Sequence, residues 1–183
     1  MRILPEQTSL IICDIQEKLC NAMYETEKMQ KRAAQMACGC RLLGIPIFTS
    51  QQYTKGLGLT VAAVREASGS DSYFEKSTFS CMRNEAMADA VRKAGRHNVI
   101  IIGTETHVCV LQTAIDLKEE GFQPILAADA VASRYPDDKE MGLRRAMQEG
   151  VLVTTSEAML FELLQDSKAP QFKEISKLVK DRP

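Results

Sequence analysis

Val99-Ile100-Ile101-Ile102-Gly103-Thr104-Glu105-Thr106-His107-Val108-Cys109-Val110 is a strand that breaks at a glycine and turns into a helix. Four β-branched residues in a row suit a strand covered on both faces. From Val110 onward, Leu111, Ala114, Ile115 and Leu117 recur at three- and four-residue spacing, the signature of an amphipathic helix. Thr106 is the expected N-cap, which puts Cys109 in the first helical turn. The positive end of the helix dipole and nearby unpaired amides favour a thiolate there, so Cys109 reads as a candidate nucleophile.

Working outward, short apolar strands alternate with helices. Strands are expected at Ser9–Cys13, Ile45–Thr49, Tyr73–Lys76, Val99–Ile102, Gln123–Ala127 and Val151–Thr154. Helical patterns occupy Glu27–Leu43, Asn84–Ala94, the Cys109 segment, Asp137–Glu149, and segments near 156–165 and 171–180, while 50–62 reads as a loop. This alternation predicts an α/β protein, a three-layer αβα Rossmann-like fold with a six-stranded parallel sheet. Residues 1–183 are expected to form one domain. The last helix carries Phe172, Ile175, Leu178 and Val179 on one face, for its own domain or for another subunit.

Ligands of such sheets bind beyond the carboxyl ends of the strands. The residues there are Asp14, Ser50 to Tyr53, Lys76, the Glu105–Cys109 turn and Asp129. Asp14, Lys76 and Cys109 make a coherent set: a base, a counter-charge for the thiolate or the aspartate, and a nucleophile. Taken singly, each also has a structural reading, as a turn residue, a solvated ion pair or a packed thiol. His97 precedes its strand, at the opposite end of the sheet. His107 lies two residues from Cys109 across a tight turn, better suited to lining a pocket than to acting as its base.

Composition narrows the function classes. Twenty-three basic and 24 acidic residues give a net charge of −1, without the basic stripe that nucleic acid requires. Neither a leader nor a membrane span is expected, since Met1 runs directly into Arg2-Ile3-Leu4-Pro5-Glu6 and no apolar run reaches about 18 residues. The six cysteines form no C-x-x-C and fit free thiols in a reducing, cytoplasmic setting.

Asp14-Ile15-Gln16, Lys76-Ser77-Thr78-Phe79-Ser80 and Gly103-x-x-Thr106-x-x-Cys109-Val110 resemble, in order and spacing, the three motifs of the isochorismatase-like cysteine hydrolases. Gln52-Tyr53-x-Lys55-Gly56-Leu57-Gly58, Thr155-Ser156-Glu157 and Pro170-Gln171-Phe172-Lys173-Glu174-Ile175 resemble the isochorismatase domain-containing branch. The resemblance implies a catalytic triad of Asp14, Lys76 and Cys109, and a cis Thr104–Glu105 peptide. It also implies an oxyanion hole from the Glu105 and Cys109 amides and hydrolysis through a thioester. Gln16, Tyr53, Phe79 and His107 become candidates to line the substrate pocket, and homo-oligomers are the family's habit. Nicotinamidases of this superfamily carry an Asp-x-His metal site after the second strand. Ser50-Gln51-Gln52-Tyr53 has no histidine there, so no metal or other cofactor is expected.

The expected function is metal-independent cysteine hydrolysis of a small amide or related C–N substrate. Two alternatives stay open: a non-catalytic small-molecule-binding or scaffold protein, and a thiol-redox role in which Cys81 is a remote resolving candidate.

Overall fold

A computed structural model describes residues 2–181; the expectations that include Met1, Arg182 and Pro183 lie partly outside it. After a 3-10 turn at Pro5–Gln7, the chain runs through β1 (Thr8–Cys13), α1 (Glu17–Cys20), α2 (Thr26–Leu42) and β2 (Ile47–Gln52). It continues through α3 (Thr54–Leu57), α4 (Ala62–Ser68), β3 (Phe74–Lys76) and α5 (Glu85–Lys93). Then come β4 (Asn98–Thr104), a π-helical turn (Thr106–Val110), α6 (Leu111–Glu119), β5 (Gln123–Ala132) and α7 (Pro136–Gln148). The described chain ends in β6 (Leu152–Thr154), α8 (Ser156–Leu164) and α9 (Phe172–Lys180).

The six strands are all parallel, in the order β3-β2-β1-β4-β5-β6. Alternate residues of the central strands feed two cores. Leu10, Ile12, Ile100, Ile102 and Ile125 pack beneath α2, α8 and α9, while Ile11, Val99, Ile101 and Leu126 pack beneath α5, α6 and α7. Covering both faces explains why these strands are continuously apolar rather than alternating. The α9 helix docks on the first core through Ile175 and Val179, and Gln35 donates to its Leu178 carbonyl.

Strand order reverses between β1 and β4, and at that crevice the Thr104 hydroxyl, at the end of β4, donates to the Asp14 carbonyl just past β1. Gly103 closes it further. It pairs with Cys13 at φ +128°, and a Cβ there would stand 1.9 Å from the Cys13 carbonyl oxygen.

Three expectations need correction. β2 extends to Gln52, and the expected loop 50–62 contains its end, all of α3 and the start of α4. Polar side chains continue that strand because Ser50, Gln51 and Gln52 find polar partners at the sheet edge. β5 runs to Ala132 after a register shift against β4, so Asp129 lies within it rather than beyond it. There its carboxylate accepts from the Ser156 amide and hydroxyl at the start of α8. Thr106 is no N-cap: Glu105 occupies that position, and the Thr106 hydroxyl is buried without a hydrogen-bond partner.

Candidate active site

Asp14 is the first residue past β1, completely buried, with φ +50°. Its amide donates to the Ser50 carbonyl at 3.3 Å, and its own carbonyl accepts from Thr104 Oγ1 at 2.7 Å. These bonds fix the turn between two neighbouring strands. One carboxylate oxygen accepts from Ser50 Oγ at 2.7 Å, and the other meets Lys76 Nζ at 2.6 Å. Lys76 closes β3, beside Gln52, with its ammonium entirely shielded from solvent. Three further oxygens accept from it: Gln52 Oε1 at 2.8 Å, Phe79 O at 2.9 Å and Thr78 O at 3.1 Å. Burial pulls this ammonium's pKa down. Negative charge at Cys13, Asp14, Cys81 and Cys109 outweighs that and holds it above the ordinary lysine value.

Cys109 lies in the π-helical turn, 6% exposed, on the same core as Cys13 and Cys81. The Val108 and Val110 amides both donate to the Glu105 carbonyl, and Thr113 Oγ1 donates to the Cys109 carbonyl at 2.7 Å. The Thr104–Glu105 peptide is cis. Glu105 is anchored from outside by Arg134 at 3.3 Å.

Two thiols stand beside this set. Hydrogen bonding to Cys109 and Cys81, followed by burial, holds the Cys13 thiol well above the ordinary range. Cys81 is 3.7 Å from Cys13 and 3.4 Å from Ser50 Oγ. Hydrogen bonding from Cys13 lowers its pKa, against burial.

The candidate pocket residues divide. Gln16 is buried and fully engaged: its Nε2 donates to the Gln52 and Gly58 carbonyls, and its Oε1 accepts from the Gln52 amide. It therefore braces Gln52, a partner of Lys76. Tyr53 and Phe79 are 60% and 55% exposed beside the Lys76 cluster. His107 is held away by Ser133 Oγ at 3.0 Å and faces Asp138 at 3.9 Å. Sequence reasoning missed the contact of Cys13 with this cluster and the Arg134 anchor. A cysteine directly before Asp14 was the available signal for the first, and nothing local marked the second. Among the described residues, no group of three or more His, Cys, Asp or Glu side chains is arranged to hold a metal ion.

The model of the isochorismatase domain matches residues 8–158, which include every one of these groups. The chain belongs to the isochorismatase family. Isochorismatase domain-containing protein 1 of Salmo salar is 38% identical over 97% of this chain, which spans 62% of that protein's length. Isochorismatase domain-containing protein 2 of Bos taurus is also 38% identical, over 98% of this chain and 86% of its own. A solved Caenorhabditis elegans structure titled MAR1 ribonuclease superposes with a TM-score of 0.93 at 36% identity, covering 100% of this chain and 95% of that one. The six-stranded parallel sheet with helices on both faces is the fold these isochorismatase-like proteins share.

Proposed function

We propose that this isochorismatase-family chain is a cysteine hydrolase that cleaves a small amide or related C–N substrate through a thioester. The buried Asp14–Lys76 pair beside Cys109 at the β1/β4 crevice carries the reading. Asp14 takes the Cys109 proton, and the thiolate attacks the substrate carbonyl carbon. The Glu105 and Cys109 amides receive the oxyanion, where fixed donors need little reorganisation. Asp14 then returns the proton to the leaving nitrogen, and water attacks the thioester with Asp14 again as base. Lys76 offsets the one negative charge of the pair, whether it sits on the Asp14 carboxylate or has passed to the Cys109 thiolate. No step uses a metal, because the β2 side chains past Thr49 already serve Asp14, Thr60, Thr54 and Lys76. The same reading takes residues 1–183 as one domain, in a cytoplasmic homo-oligomer.

The ribonuclease title of the C. elegans structure favours RNA as a second reading. Against it stand a net charge of −1 and a Lys76 already saturated by four oxygens. The test is the pH profile of Cys109 alkylation in wild type, Asp14→Asn and Lys76→Ala, followed by ammonia-release screens on small amides and an RNA-cleavage assay. Expected are an alkylation profile moved by both substitutions and amide turnover lost in Cys109→Ala. An ordinary thiol profile, unmoved by either substitution, would sink the nucleophile. RNA cleavage that survives Cys109→Ala would transfer the site to the second reading.

A further inference from the structure

Ser50 grips Asp14 at both ends yet takes no part in the hydrolytic steps. Its carbonyl accepts from the Asp14 amide at 3.3 Å, and its hydroxyl donates to Asp14 Oδ1 at 2.7 Å. The residue is fully buried in β2, in register with Cys13 on β1 and Phe74 on β3. Its neighbours fix the direction of its one hydroxyl hydrogen. An ionised Asp14 can only accept, and Cys81 Sγ donates to Ser50 Oγ at 3.4 Å from the other side. Cys81 opens a 3-10 turn (Cys81–Arg83), where its amide donates to Thr113 Oγ1 at 2.9 Å. That hydroxyl donates in turn to the Cys109 carbonyl at 2.7 Å. A chain of fully buried groups, Ser50, Cys81 and Thr113, thus ties the Asp14 carboxylate to the backbone of Cys109.

We propose that Ser50 is a positioning residue, aiming the Asp14 carboxylate and setting how one proton is divided between Asp14 and Cys109. The inference rests on the reading of Cys109 as nucleophile and Asp14 as its base. Lys76 Nζ meets Oδ2 at 2.6 Å, and Cys13 Sγ comes no nearer to that oxygen than 3.8 Å. Among the described residues, Ser50 is the one donor to Oδ1. A hydrogen bond to an ionised carboxylate is stronger than one to the neutral acid. Losing the hydroxyl therefore penalises the carboxylate, and the pair moves toward protonated Asp14 with Cys109 as thiolate. Bonds of this class correspond to a change in that balance of roughly 10- to 100-fold. Besides Cys109, the titratable groups facing Asp14 are Cys13, Lys76 and Cys81, and replacing Ser50 changes the formal charge of none. In the native chain Ser50 keeps Asp14 ionised for the two steps in which it acts as base.

Iodoacetamide is the probe, with the rate at Cys109 read on the tryptic peptide His97–Lys118 by mass spectrometry. The whole folded protein is alkylated between about pH 5.5 and 10, as wild type, Ser50→Ala, Ser50→Thr, Asp14→Asn and the Ser50→Ala/Asp14→Asn double variant. Ser50→Ala removes one buried oxygen and keeps the strand pairing. Expected is a neutral-pH rate raised roughly 10- to 100-fold, with the alkaline plateau unchanged. Ser50→Thr keeps the hydroxyl and should follow the wild-type profile. In the Asp14→Asn background Ser50→Ala should move nothing, because the hydroxyl acts through that carboxylate. A site merely loosened by the substitution would react faster by the same factor at every pH, and that result overturns the proposal. So does a Ser50→Ala no faster than wild type at neutral pH, an equal rise in Ser50→Thr, or an effect that persists in Asp14→Asn. A wild-type profile left unmoved by Asp14→Asn would instead remove the nucleophile and base reading itself, so the two failures are distinguishable.

Discussion

Replacing Lys76 by methionine keeps the length of the side chain and removes its charge. The ammonium and the Asp14 carboxylate are 2.6 Å apart with both side chains inaccessible to solvent. At an effective dielectric of about 20, their attraction is roughly 6 kcal/mol, most of which offsets the cost of burying two ions. The pair is thus nearly neutral against two apolar groups, while losing one member is costly. Lys76→Met leaves a buried carboxylate whose other donor contacts are Ser50 Oγ and the distant Cys13 thiol, and it strips the Thr78 and Phe79 carbonyls of their donor. A loss of about 3–5 kcal/mol is expected. For a chain of this size that lowers Tm by roughly 6–20 °C. Asp14→Asn should fall at or below the lower end, because Gln52 Oε1 and two carbonyls still surround the ammonium. Combining the two should cost less than their sum, by about 1–3 kcal/mol, since the second substitution removes the charge the first left unpaired. Lys76 is held above its ordinary value, so the contribution is complete below about pH 10.5 and is lost only as pH rises through the still higher folded value. Urea unfolding of the four proteins at pH 7.5 measures the cycle. Single variants within about 1 kcal/mol of wild type, or a strictly additive double variant, would refute the buried-pair argument.

Gly103→Ala should cost more than about 4 kcal/mol, because its Cβ would overlap the Cys13 backbone and φ +128° is already hostile to a side chain. Near-native unfolding together with unchanged Cys109 alkylation would contradict the close approach of β4 to β1. Burial pushes the Cys40 thiol up to about 12 and Cys20 to about 11. Folded protein therefore keeps protons that the unfolded chain releases above about pH 9, and stability falls by roughly 1.4 kcal/mol per pH unit for each such thiol. Cys40→Ala should flatten the decline of the urea midpoint between pH 9 and 11, and parallel slopes would count against it.

Legibility in the sequence followed the demands of burial. Val99 to Ile102 announced a central strand because both faces are covered, and the same logic exposed β1 through Leu10 to Cys13. β2 was read too early because its last residues are polar. Ser50, Gln51 and Gln52 violate the apolar pattern to supply hydrogen bonds at the site, a conflict that local periodicity cannot resolve. Thr106 misled for a related reason. Its residue type favours a cap, but the turn closes with the Val108 and Val110 amides on the Glu105 carbonyl, which moves the cap one residue earlier.

The same conflict separates the parts of the site that were legible from those that were not. Asp14, Lys76 and Cys109 could be nominated from position because each stands at or just past the end of a recognisable strand, and position alone requires no knowledge of side-chain direction. Gln16 is a pocket candidate only through the family resemblance of its motif, and its amide faces Gln52 and Gly58. Lys76 needs an orienting partner on β2, and Gln52 fills that place because Gln16 holds its backbone at both the amide and the carbonyl. A polar residue beside a nominated base is therefore as apt to support the next shell of the site as to touch substrate. Cys13 shows the converse. Its apolar surroundings made it look like core, yet its sulfur stands 3.8 Å from Asp14 Oδ2 and 3.6 Å from the Thr104 carbonyl at the end of the neighbouring strand.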